Sequence, residues 1–516
     1  MTQLTDSLPN TLLMKQSYVG VYGQDTWKLT PKLTLNYGVR WEPFLPQTIT
    51  NGAVFQFDLN RFLNGTKTTV FKNAPAGLYY PGDPGFPGKS GMYKIWDTFG
   101  PRVGLSWDPN GDGKTVVRAG YGLSYDFVNG QFFINSTIAP PWGGDVRVNS
   151  PAAGFDNPWR DYPGGNPFPY VPDVNAKFPA GAVYLTVPYH MDPNTIHNWN
   201  LTVQKQLASD WLVSASYLGS EATHLWVSKS LNPGIYFYNG TNTCVLPNGT
   251  TITGANGQCS TTGNIEQRRP FVLQRPVEGQ LYGAVDVFDD GGTQSYAGML
   301  LQVQRRLSRG LTFNSTYTFS HCIGDNTQGG STPNINTGII DPNNRRLDRA
   351  NCTQDRRHLF NTSGVASMPK FANPTLNKIA SGWRLSGIFT KRSGAFLTVT
   401  TGTDVALTGI GSQRGNQLSA NAYATNQLVP TGSSGFLSYL GKGCTATQTD
   451  ADCVFKVPAT GTLGNMGRNN ILGPGFWNFD LALSRIFQLR ERQRLEIRAE
   501  AFNVTNSLDQ PTRSLL

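Results

Sequence analysis

Strict alternation of apolar and polar residues is the feature that most constrains this chain. In LTLNYGVRWE, residues 33–42, every odd-numbered residue is apolar and every even-numbered one is polar or glycine. Successive side chains of a β-strand point to opposite faces, so this stretch predicts a strand with one apolar face. About twelve stretches of this kind occur, most of them joined in pairs across short turns. The sequence therefore predicts an all-β fold built from antiparallel hairpins.

One of the turns, DPNGDG at residues 108–113, has features of a calcium loop. Asp108, Asn110 and Asp112 stand at alternate positions and Gly113 follows, as in the first half of an EF-hand loop. The twelfth position, which needs a bidentate glutamate, is Ala119, and strands rather than helices flank the stretch. We therefore expect a turn, in which Asn, Asp and Gly tolerate left-handed backbone.

Long connections alternate with the tight turns, and they bear on the choice between a soluble and a membrane fold. They are rich in Gly, Pro, Asn and Thr and run over residues 45–97, 127–195, 220–295, 321–356 and 401–475. A compact soluble domain rarely has even one unstructured loop above about 15 residues. Outer-membrane barrels combine short periplasmic turns, long extracellular loops and strands of about ten residues. We expect a transmembrane antiparallel β-barrel; a soluble barrel with basic hairpin rims is the alternative.

The ends of the apolar strand faces agree with a membrane location. Trp27, Lys205, Arg305, Arg485 and Phe487 lie near the tight turns, where aromatic and long basic side chains suit a lipid–water interface. The 43 Lys and Arg residues exceed the 33 Asp and Glu residues but form no contiguous basic stripe. Outer-membrane lipid is therefore an expected partner, and nucleic acid is not. No apolar run approaches the roughly 20 residues of a transmembrane helix.

Four phrases carry a resemblance to a known family: SYVGVYGQDTWKLTPKLTLNYGVRWEPF, FGPRVGLSWDPNGDGKTVVRAGYGLSYD, WRLSGIFTKRSGAFLTVTTG and LEIRAEAFNVTN. In order and spacing they resemble the barrels of Oar-like TonB-dependent receptors of Gram-negative bacteria, and the resemblance covers most of the chain. It implies a 22-stranded barrel in the cell outer membrane. It also implies an N-terminal plug that occludes the barrel and that the TonB energising complex pulls on to admit an extracellular ligand.

The two ends of the chain depart from that family pattern. The first strong hairpin starts at Tyr18, and the sequence ends in TNSLDQPTRSLL without an aromatic-ended strand. We expect residues 1–16 to be a disordered or residual lead-in, and residues 17–516 to be an incomplete C-terminal portion of the barrel without its plug. Ligand uptake across the outer membrane is the expected function. An adhesion or surface-structure barrel, whose loops bind polymers or neighbouring cells, is the alternative.

Charged residues on the polar face of the strands are candidates for the inner surface of the barrel. Seven are expected to face the plug and the substrate path: Arg40, Glu42, Arg102, Arg118, Asp480, Arg498 and Glu500. A ladder of cross-strand ion pairs explains the same pattern without any role in transport.

Aromatic residues in the second long connection are candidates for ligand binding. Within residues 140–170, PPWGGDV and DNPWRDYPGGNPFPY supply Trp142, Trp159, Tyr162 and Phe168. Exposed rings in a Gly- and Pro-rich loop suit stacking on a sugar or a peptide. The same rings could equally pack on each other.

Catalytic chemistry is not expected. The histidines show no metal-binding spacing: His190, His197, His224, His321 and His358. GIGSQRG has Arg414 where a phosphate loop needs its third glycine. Asp348, Cys352, Asp355 and His358 crowd into RRLDRANCTQDRRH and could suggest a Cys/His pair, but a charged loop with a disulfide-bonded cysteine also explains them. We expect no enzyme activity, no cofactor and no metal.

The six cysteines all lie in the long connections or at their edges. Six cysteines permit fifteen pairings, and we choose the one that joins neighbours on a single connection, because closure then needs no distant loops to meet. The predicted disulfides are Cys244–Cys259, Cys322–Cys352 and Cys444–Cys453. An oxidising compartment such as the periplasm would form them.

Overall fold

The computed structural model describes residues 3–8, 11–149, 151–169, 171–325, 338–411, 413–423, 430–431, 436–437, 439–449, 451–490 and 492–507. Its main element is a sheet in which twelve long strands follow one another in chain order. We number these strands β1 (Val21–Thr30), β2 (Leu33–Trp41), β3 (Phe99–Trp107), β4 (Thr115–Asp126), β5 (Asn194–Ala208), β6 (Trp211–Ser230), β7 (Tyr282–Ser308), β8 (Leu311–Gly324), β9 (His358–Ser367), β10 (Trp383–Arg392), β11 (Phe476–Arg490) and β12 (Gln493–Ala501). They are the strands that the alternating pattern predicts.

Each of the twelve strands pairs antiparallel with the next, and short turns join many of them. The Arg309–Gly310 turn between β7 and β8 has φ angles of 50° and 80°, as a type I′ turn requires. Among the described residues, β1 and β12 each have a neighbour in this sheet on one side only. The described sheet is therefore an open meander.

The turn after β3 is the one that resembled a calcium loop. The Asp108 carboxylate accepts hydrogen bonds from the backbone N–H groups of Gly111 (2.9 Å) and Gly113 (2.8 Å). Asp112 accepts another from the N–H of Lys114 (2.9 Å). Because these carboxylates hold the backbone of the turn itself, the structure agrees with a turn.

The register of the strand ladders makes one face of the sheet continuously apolar. Leu35 pairs with Leu105, and Leu105 pairs with Ala119. Ala119 in turn pairs with Leu201, and the same face continues as far as Leu483 of β11. Side chains on this face are exposed, with 47% of Leu201 and 44% of Leu483 accessible. Side chains on the opposite face are mostly polar, which is the division that a wall between lipid and water requires.

Aromatic and basic side chains mark both ends of the apolar face. Near the tight turns, Arg305 lies over the ring of Trp211 (5.5 Å) and Arg485 over the ring of Trp383 (5.2 Å). At the opposite end, Trp41 stacks on two other rings, each with a centroid separation of 6.3 Å. At about 3.4 Å per residue and a tilt of about 40°, β2 alone spans roughly 20 Å, close to the apolar thickness of an outer-membrane barrel.

Two strands continue well beyond this apolar band. β6 has 20 residues and β7 has 27, and they stay paired as far as Ser230 and Asp286. The sequence predicted a loop over residues 220–295, whereas the strands leave only residues 231–281 as the connection. Other segments cover both faces of the strand extensions, so alternation is lost there. Val227 and Phe288, for example, are 0% and 1% exposed.

Three of the long connections form a layer with its own hydrophobic core. We call it the loop layer, and it comprises the outer parts of β6 and β7 together with the described residues within 42–98, 127–193 and 231–281. Phe62, Phe271 and Tyr282 are at most 1% exposed, and their ring centroids lie 4.6 to 5.7 Å apart. The sequence predicted polar, unstructured connections here. The buried rings are scattered along the chain without any period, so no local pattern indicates this core.

The N-terminal segment is also attached to this layer. Residues 1–16 were expected to form a disordered or residual lead-in, but Gln3–Leu8 is a strand that pairs antiparallel with Gly144–Asn149. Met14–Lys15 pairs with Thr48–Ile49. These residues form strands because their backbone pairs with the long connections, and no local sequence pattern indicates such pairing.

The remaining elements are short. The α-helices are α1 (Leu59–Leu63), α2 (Pro270–Gln274), α3 (Pro276–Gly279) and α4 (Pro374–Ala380), and 3-10 turns cover Gly88–Ser90, Gly130–Ile138, Thr262–Asn264, Glu266–Arg268 and Arg345–Asp348. Other short strands are Gln56–Phe57, Leu78–Tyr79, Ala182–Thr186, Thr243–Val245, Thr251–Thr253, Ala350–Asn351, Phe396–Leu397, Asn416–Gln417, Pro430–Thr431, Phe436–Leu437, Gly443–Cys444, Phe455–Lys456 and Ile471–Leu472. No helix in the described part of the chain has the length and hydropathy to cross a membrane.

Disulfides close segments of three of the connections. The bonded pairs are Cys244–Cys259, Cys322–Cys352 and Cys444–Cys453, the same three that the sequence predicts. Each bond shortens the free chain of the unfolded state, which in the chain-entropy model stabilises the fold by about 3 kcal/mol for a loop of roughly 15 residues.

Arg268 is fully buried and joins two different connections. Its guanidinium donates hydrogen bonds to the side chain of Asn264 (2.9 Å) and the carbonyl of Thr261 (3.0 Å). It also donates to the carbonyl of Leu407 (3.3 Å), which belongs to the connection between β10 and β11. Burial lowers the pKa of Arg268 to about 10. The cation is therefore still charged at neutral pH, where these carbonyl groups replace its hydration.

Asp83 makes the loop layer sensitive to acid. Burial alone would raise its pKa, but hydrogen bonds from Thr68 and Thr69 and from the N–H of Tyr80 outweigh that effect and lower the pKa. The donors lie 2.5 to 3.0 Å from the carboxylate oxygens. A carboxyl group with a lowered pKa stabilises the fold above its unfolded pKa, and that stability is lost as the pH falls through the folded pKa.

We therefore expect amide hydrogen exchange of residues 66–83 to accelerate, relative to its intrinsic rate, as the pH drops below about 4. Asp83→Ala should cost about 1–3 kcal/mol of local stability at neutral pH, since it removes a charged acceptor. Asp83→Asn is the matched variant and should abolish the acid-dependent part. The same acid response in Asp83→Asn and in the unmodified protein would contradict this assignment.

Candidate functional site

The polar face of the sheet carries two open cavities. The first has a volume of about 510 Å³, lies on β1 to β3 and is lined in part by Arg40 and Arg102. The second has a volume of about 480 Å³, reaches from β7 to β12 and is lined in part by Asp480, Arg498 and Glu500. Five of the seven charged residues proposed for the inner surface thus gather in two places on one face.

Some of these charges pair along a strand rather than across strands. Arg40 Nε lies 2.6 Å from Glu42 Oε1, and Arg498 Nε lies 2.5 Å from Glu500 Oε1. The partners are two residues apart, so they share one face of an extended chain. Glu42 also accepts a hydrogen bond from the hydroxyl of Tyr18. A cross-strand ladder does not form at these sites because the directly paired residues of the neighbouring strands carry no charge.

The other predicted inner residues have different surroundings. Arg118 donates a hydrogen bond to the side-chain oxygen of Gln204 on β5. Asp480 accepts hydrogen bonds from a neighbouring side-chain amide (3.0 Å) and from the backbone N–H of Asn503 (2.7 Å). Arg102 faces glycines on both adjacent strands and pairs with no acidic group among the described residues. Its charge is therefore available to the first cavity.

The aromatic residues proposed for ligand binding do not form one open surface. Trp142 packs against the core of the loop layer, with its ring 5.4 Å from that of Tyr80. Trp159 lies 5.2 Å from Tyr162 and 5.9 Å from Phe168. Burial raises the pKa of Tyr162, whose hydroxyl donates to a backbone carbonyl. The rings therefore pack on each other or on the core; position 170 of the same segment lies outside the described residues.

The stretch that suggested a Cys/His pair has no reactive arrangement. Cys352 is in a disulfide, so it offers no thiolate. His358 Nδ1 lies 2.8 Å from the hydroxyl of Tyr317. The two carboxylates of this stretch, Asp348 and Asp355, pair with arginines at 3.1 and 3.2 Å. Each of the four side chains is engaged in a separate structural contact.

A groove of about 1010 Å³ beside the N-terminal segment was not foreseen from the sequence. Lys15 lines it together with Tyr93, Lys94 and Trp96. Tyr93 in turn stacks on His190 with a centroid separation of 4.7 Å. No local pattern links residue 15 with residues 93–96, so this groove could be found only from the folded chain.

Solved structures that are similar to this chain at low sequence identity include two transporters and a receptor. The outer membrane transporter YddB from Escherichia coli is similar at 10% identity and a TM-score of 0.44, over 95% of this chain and 41% of that one. The FrpB iron transporter from Neisseria meningitidis (F3-3 variant) is similar at 11% identity and 0.40, over 96% and 43%. The siderophore receptor PirA from Acinetobacter baumannii is similar at 6% and 0.38, over 94% and 41%. This chain spans about two fifths of the length of each.

Comparison with curated protein sequences finds no match. The model of one protein family, described as the outer membrane beta barrel domain, matches residues 2–514. The continuous apolar face and the interfacial residues at both of its ends are what such a domain requires. The chain therefore belongs to the outer membrane beta-barrel domain family and resides in the outer membrane.

Proposed function

We propose that this domain is part of an Oar-like receptor that takes up a ligand across the outer membrane with energy supplied through TonB. The polar face of β1 to β12 would line the passage, and a plug would occupy the space that this face encloses. The TonB complex would act on that plug, which belongs to a part of the receptor other than the described strands. The extracellular ligand would bind first at the loop layer.

The two cavities on the polar face are the observation that supports this proposal. Arg40 and Arg102 line one of them, and Asp480, Arg498 and Glu500 line the other. A passage for a polar ligand needs a wall with charges that water and the ligand can reach. In an adhesion barrel the function would lie in the loops, and the charged wall would serve only to keep the interior hydrated.

The orientation follows from the unequal lengths of the connections. The loop layer would face the outside, and the tight turns, such as the one at Ser209 and Asp210, would face the periplasm. Disulfides and a hydrophobic core would then stabilise the segments that meet the external medium.

Ser386 and Leu385, adjacent on β10, provide a matched test in the protein expressed from its own gene. Ser386 lines the second cavity, whereas Leu385 is on the apolar face and is 50% exposed there. We expect Ser386→Cys to react with a membrane-impermeant maleimide several times faster in cells with an intact TonB complex than in cells without one, since plug movement opens the passage. Leu385→Cys should stay unlabelled in both, because lipid shields it.

The rate of maleimide labelling of Ser386→Cys distinguishes the two candidate functions. Equal rates with and without the TonB complex would reject energised uptake and favour an adhesion barrel. Faster labelling of Leu385→Cys than of Ser386→Cys would mean that the two faces of the sheet are assigned the wrong way round.

A further inference from the structure

Three side chains with metal-binding chemistry meet above the apolar band. Asp192, His224 and Asp290 each offer one ligand atom, and these atoms all lie within 4.8 Å of one another. His224 Nδ1 is 3.5 Å from Asp192 Oδ2. The three residues are far apart in the sequence, so no short spacing motif indicates them.

Adjacent strands bring these residues together. Asp192 lies two residues before β5, and β5 pairs with β6, which pairs with β7. His224 lies at an irregularity of β6, where the register shifts after Ala222 and where His224 has a φ of 58°. A bulge of this kind turns a side chain out of the regular ladder. Asp290 of β7 lies close by because Gly292 lets the strands approach: a Cβ at Gly292 would be only 2.4 Å from the carbonyl of Leu225.

Among the described residues, the two carboxylates of the cluster have no arginine or lysine partner, and His224 offsets the charge of Asp192 only when it is protonated. Asp290 Oδ2 accepts a hydrogen bond from the backbone N–H of Asp192 (2.7 Å), which holds the two acidic residues side by side. The adjacent Asp289 pairs with Arg345. No lysine or arginine in the described part of the chain forms an ion pair with Asp192 or Asp290. Like charges held this close destabilise each other, and a bound cation removes that cost.

Asn194, two residues after Asp192 in the sequence, has a buried side-chain amide. Asn194 is only 8% exposed, and its side-chain oxygen has no hydrogen-bond partner among the described residues. Only Pro193 separates Asn194 from Asp192 along the chain. Thr195, the next residue, pairs with Thr223, the neighbour of His224. Buried polar atoms are nearly always satisfied by protein, water or an ion, so a hydrogen-bond donor or a cation is expected next to this oxygen.

We propose that Asp192, His224 and Asp290 bind one divalent transition-metal ion, with Asn194 supplying a further oxygen at its edge. A mixed set of imidazole and carboxylate donors suits Zn²⁺ better than Ca²⁺, which takes oxygen donors only. Zinc–ligand bonds of about 2.0–2.2 Å place donor atoms roughly 3.3–4.4 Å apart, so the observed spacing needs only small side-chain movements. The ion would link β6 and β7 to the segment that precedes β5.

The site lies beyond the apolar band, between the segment before β5 and the outer parts of β6 and β7. The indole N–H of Trp226 already donates to the carbonyl of Asp192 (3.0 Å), so one backbone contact anchors the same segment. A metal ion would add side-chain bonds from two further strands. The ion would be structural, and its binding would not depend on which ligand the receptor takes up.

Titration of the purified chain in detergent with ZnCl₂ tests the site by calorimetry. We expect one saturable site, and binding at least tenfold weaker in His224→Ala and in Asp290→Asn. His190→Ala is the control: it removes a nearby histidine that stacks on Tyr93 and should leave the affinity unchanged. CaCl₂ in the same titration should bind more weakly than ZnCl₂.

The side chain in Asp290→Asn keeps an oxygen that can accept the hydrogen bond from the Asp192 N–H. This variant therefore tests Zn²⁺ binding even if His224→Ala fails to fold. Absence of saturable Zn²⁺ binding in the unmodified chain would overturn the proposal. So would an affinity that is the same in Asp290→Asn, or one that falls equally in His190→Ala. Tighter binding of Ca²⁺ than of Zn²⁺ would overturn the assignment to a transition metal.

Discussion

Replacing Leu301 by arginine should destabilise the folded domain in a bilayer by about 2–4 kcal/mol, the cost of an arginine at the midplane of a membrane barrel. Leu301 lies on the apolar face of β7, between Ala215 and Tyr317 on the adjacent strands. It is four positions from Arg305, which marks the interface near the tight turns. Lipid would have to accept a charge at that depth, or thin locally to hydrate it. Urea unfolding from lipid vesicles measures the change.

Thr316→Arg is the matched control for this variant. Thr316 is on the adjacent strand β8 at a similar depth, but on the polar face, where it pairs with Gln302 and Asn361. An arginine there can reach water, so we expect a change of less than about 1 kcal/mol. A loss at Thr316→Arg equal to that at Leu301→Arg would contradict the assignment of the two faces.

Tyr282→Ala should cost about 3–5 kcal/mol of stability in the loop layer, as truncation of a large buried aromatic does. The Tyr282 ring is 0% exposed and lies 5.6 and 5.7 Å from those of Phe62 and Phe271. Its hydroxyl donates to the carbonyl of Ala76 (2.6 Å), so the variant also leaves a buried acceptor without its donor. Amide hydrogen exchange of residues 55–63 and 270–274 should accelerate accordingly.

Tyr282→Phe separates the ring from the hydroxyl. It keeps the packing and loses only the hydrogen bond to Ala76, so we expect a loss of about 1–2 kcal/mol. Exchange in β11 and β12, which lie far from Tyr282 along the sheet, should be unaffected by either variant. Unchanged exchange of residues 55–63 in Tyr282→Ala would show that the loop layer does not depend on this core.

Residues 33–42 illustrate what local sequence determines. Their alternation predicts a strand and which side chains share a face, because the two-residue period of a strand does not depend on its neighbours. The same reasoning predicted the hairpins, the turn at Asp108 and the apolar face with its interfacial arginines. The disulfides were predictable as well, since each pair lies on a single connection and needs no information about distant contacts.

The connections show where local reasoning ends. In the sequence, Arg414 stands out only as the residue that breaks a phosphate-loop pattern, yet its guanidinium is buried against Asp348 at 3.1 Å. Trp142 was proposed as a ligand contact, and the structure shows that its ring also packs on the core of the loop layer. Neither residue lies in a periodic sequence pattern. A packed layer of loops buries residues that are distant from one another in the sequence, so no period is needed.

The sequence by itself thus determined the strands, which of their side chains share a face, and the location in a membrane. These follow from the two-residue period of a single strand and from the lipid that surrounds the barrel. Only the tertiary structure decided how the loops pack, how the inner charges pair and where Asp192, His224 and Asp290 meet. The physical reason is that these contacts join residues whose separation along the chain carries no information about their distance in space. Strand order brings them together, and strand order is a property of the whole sheet.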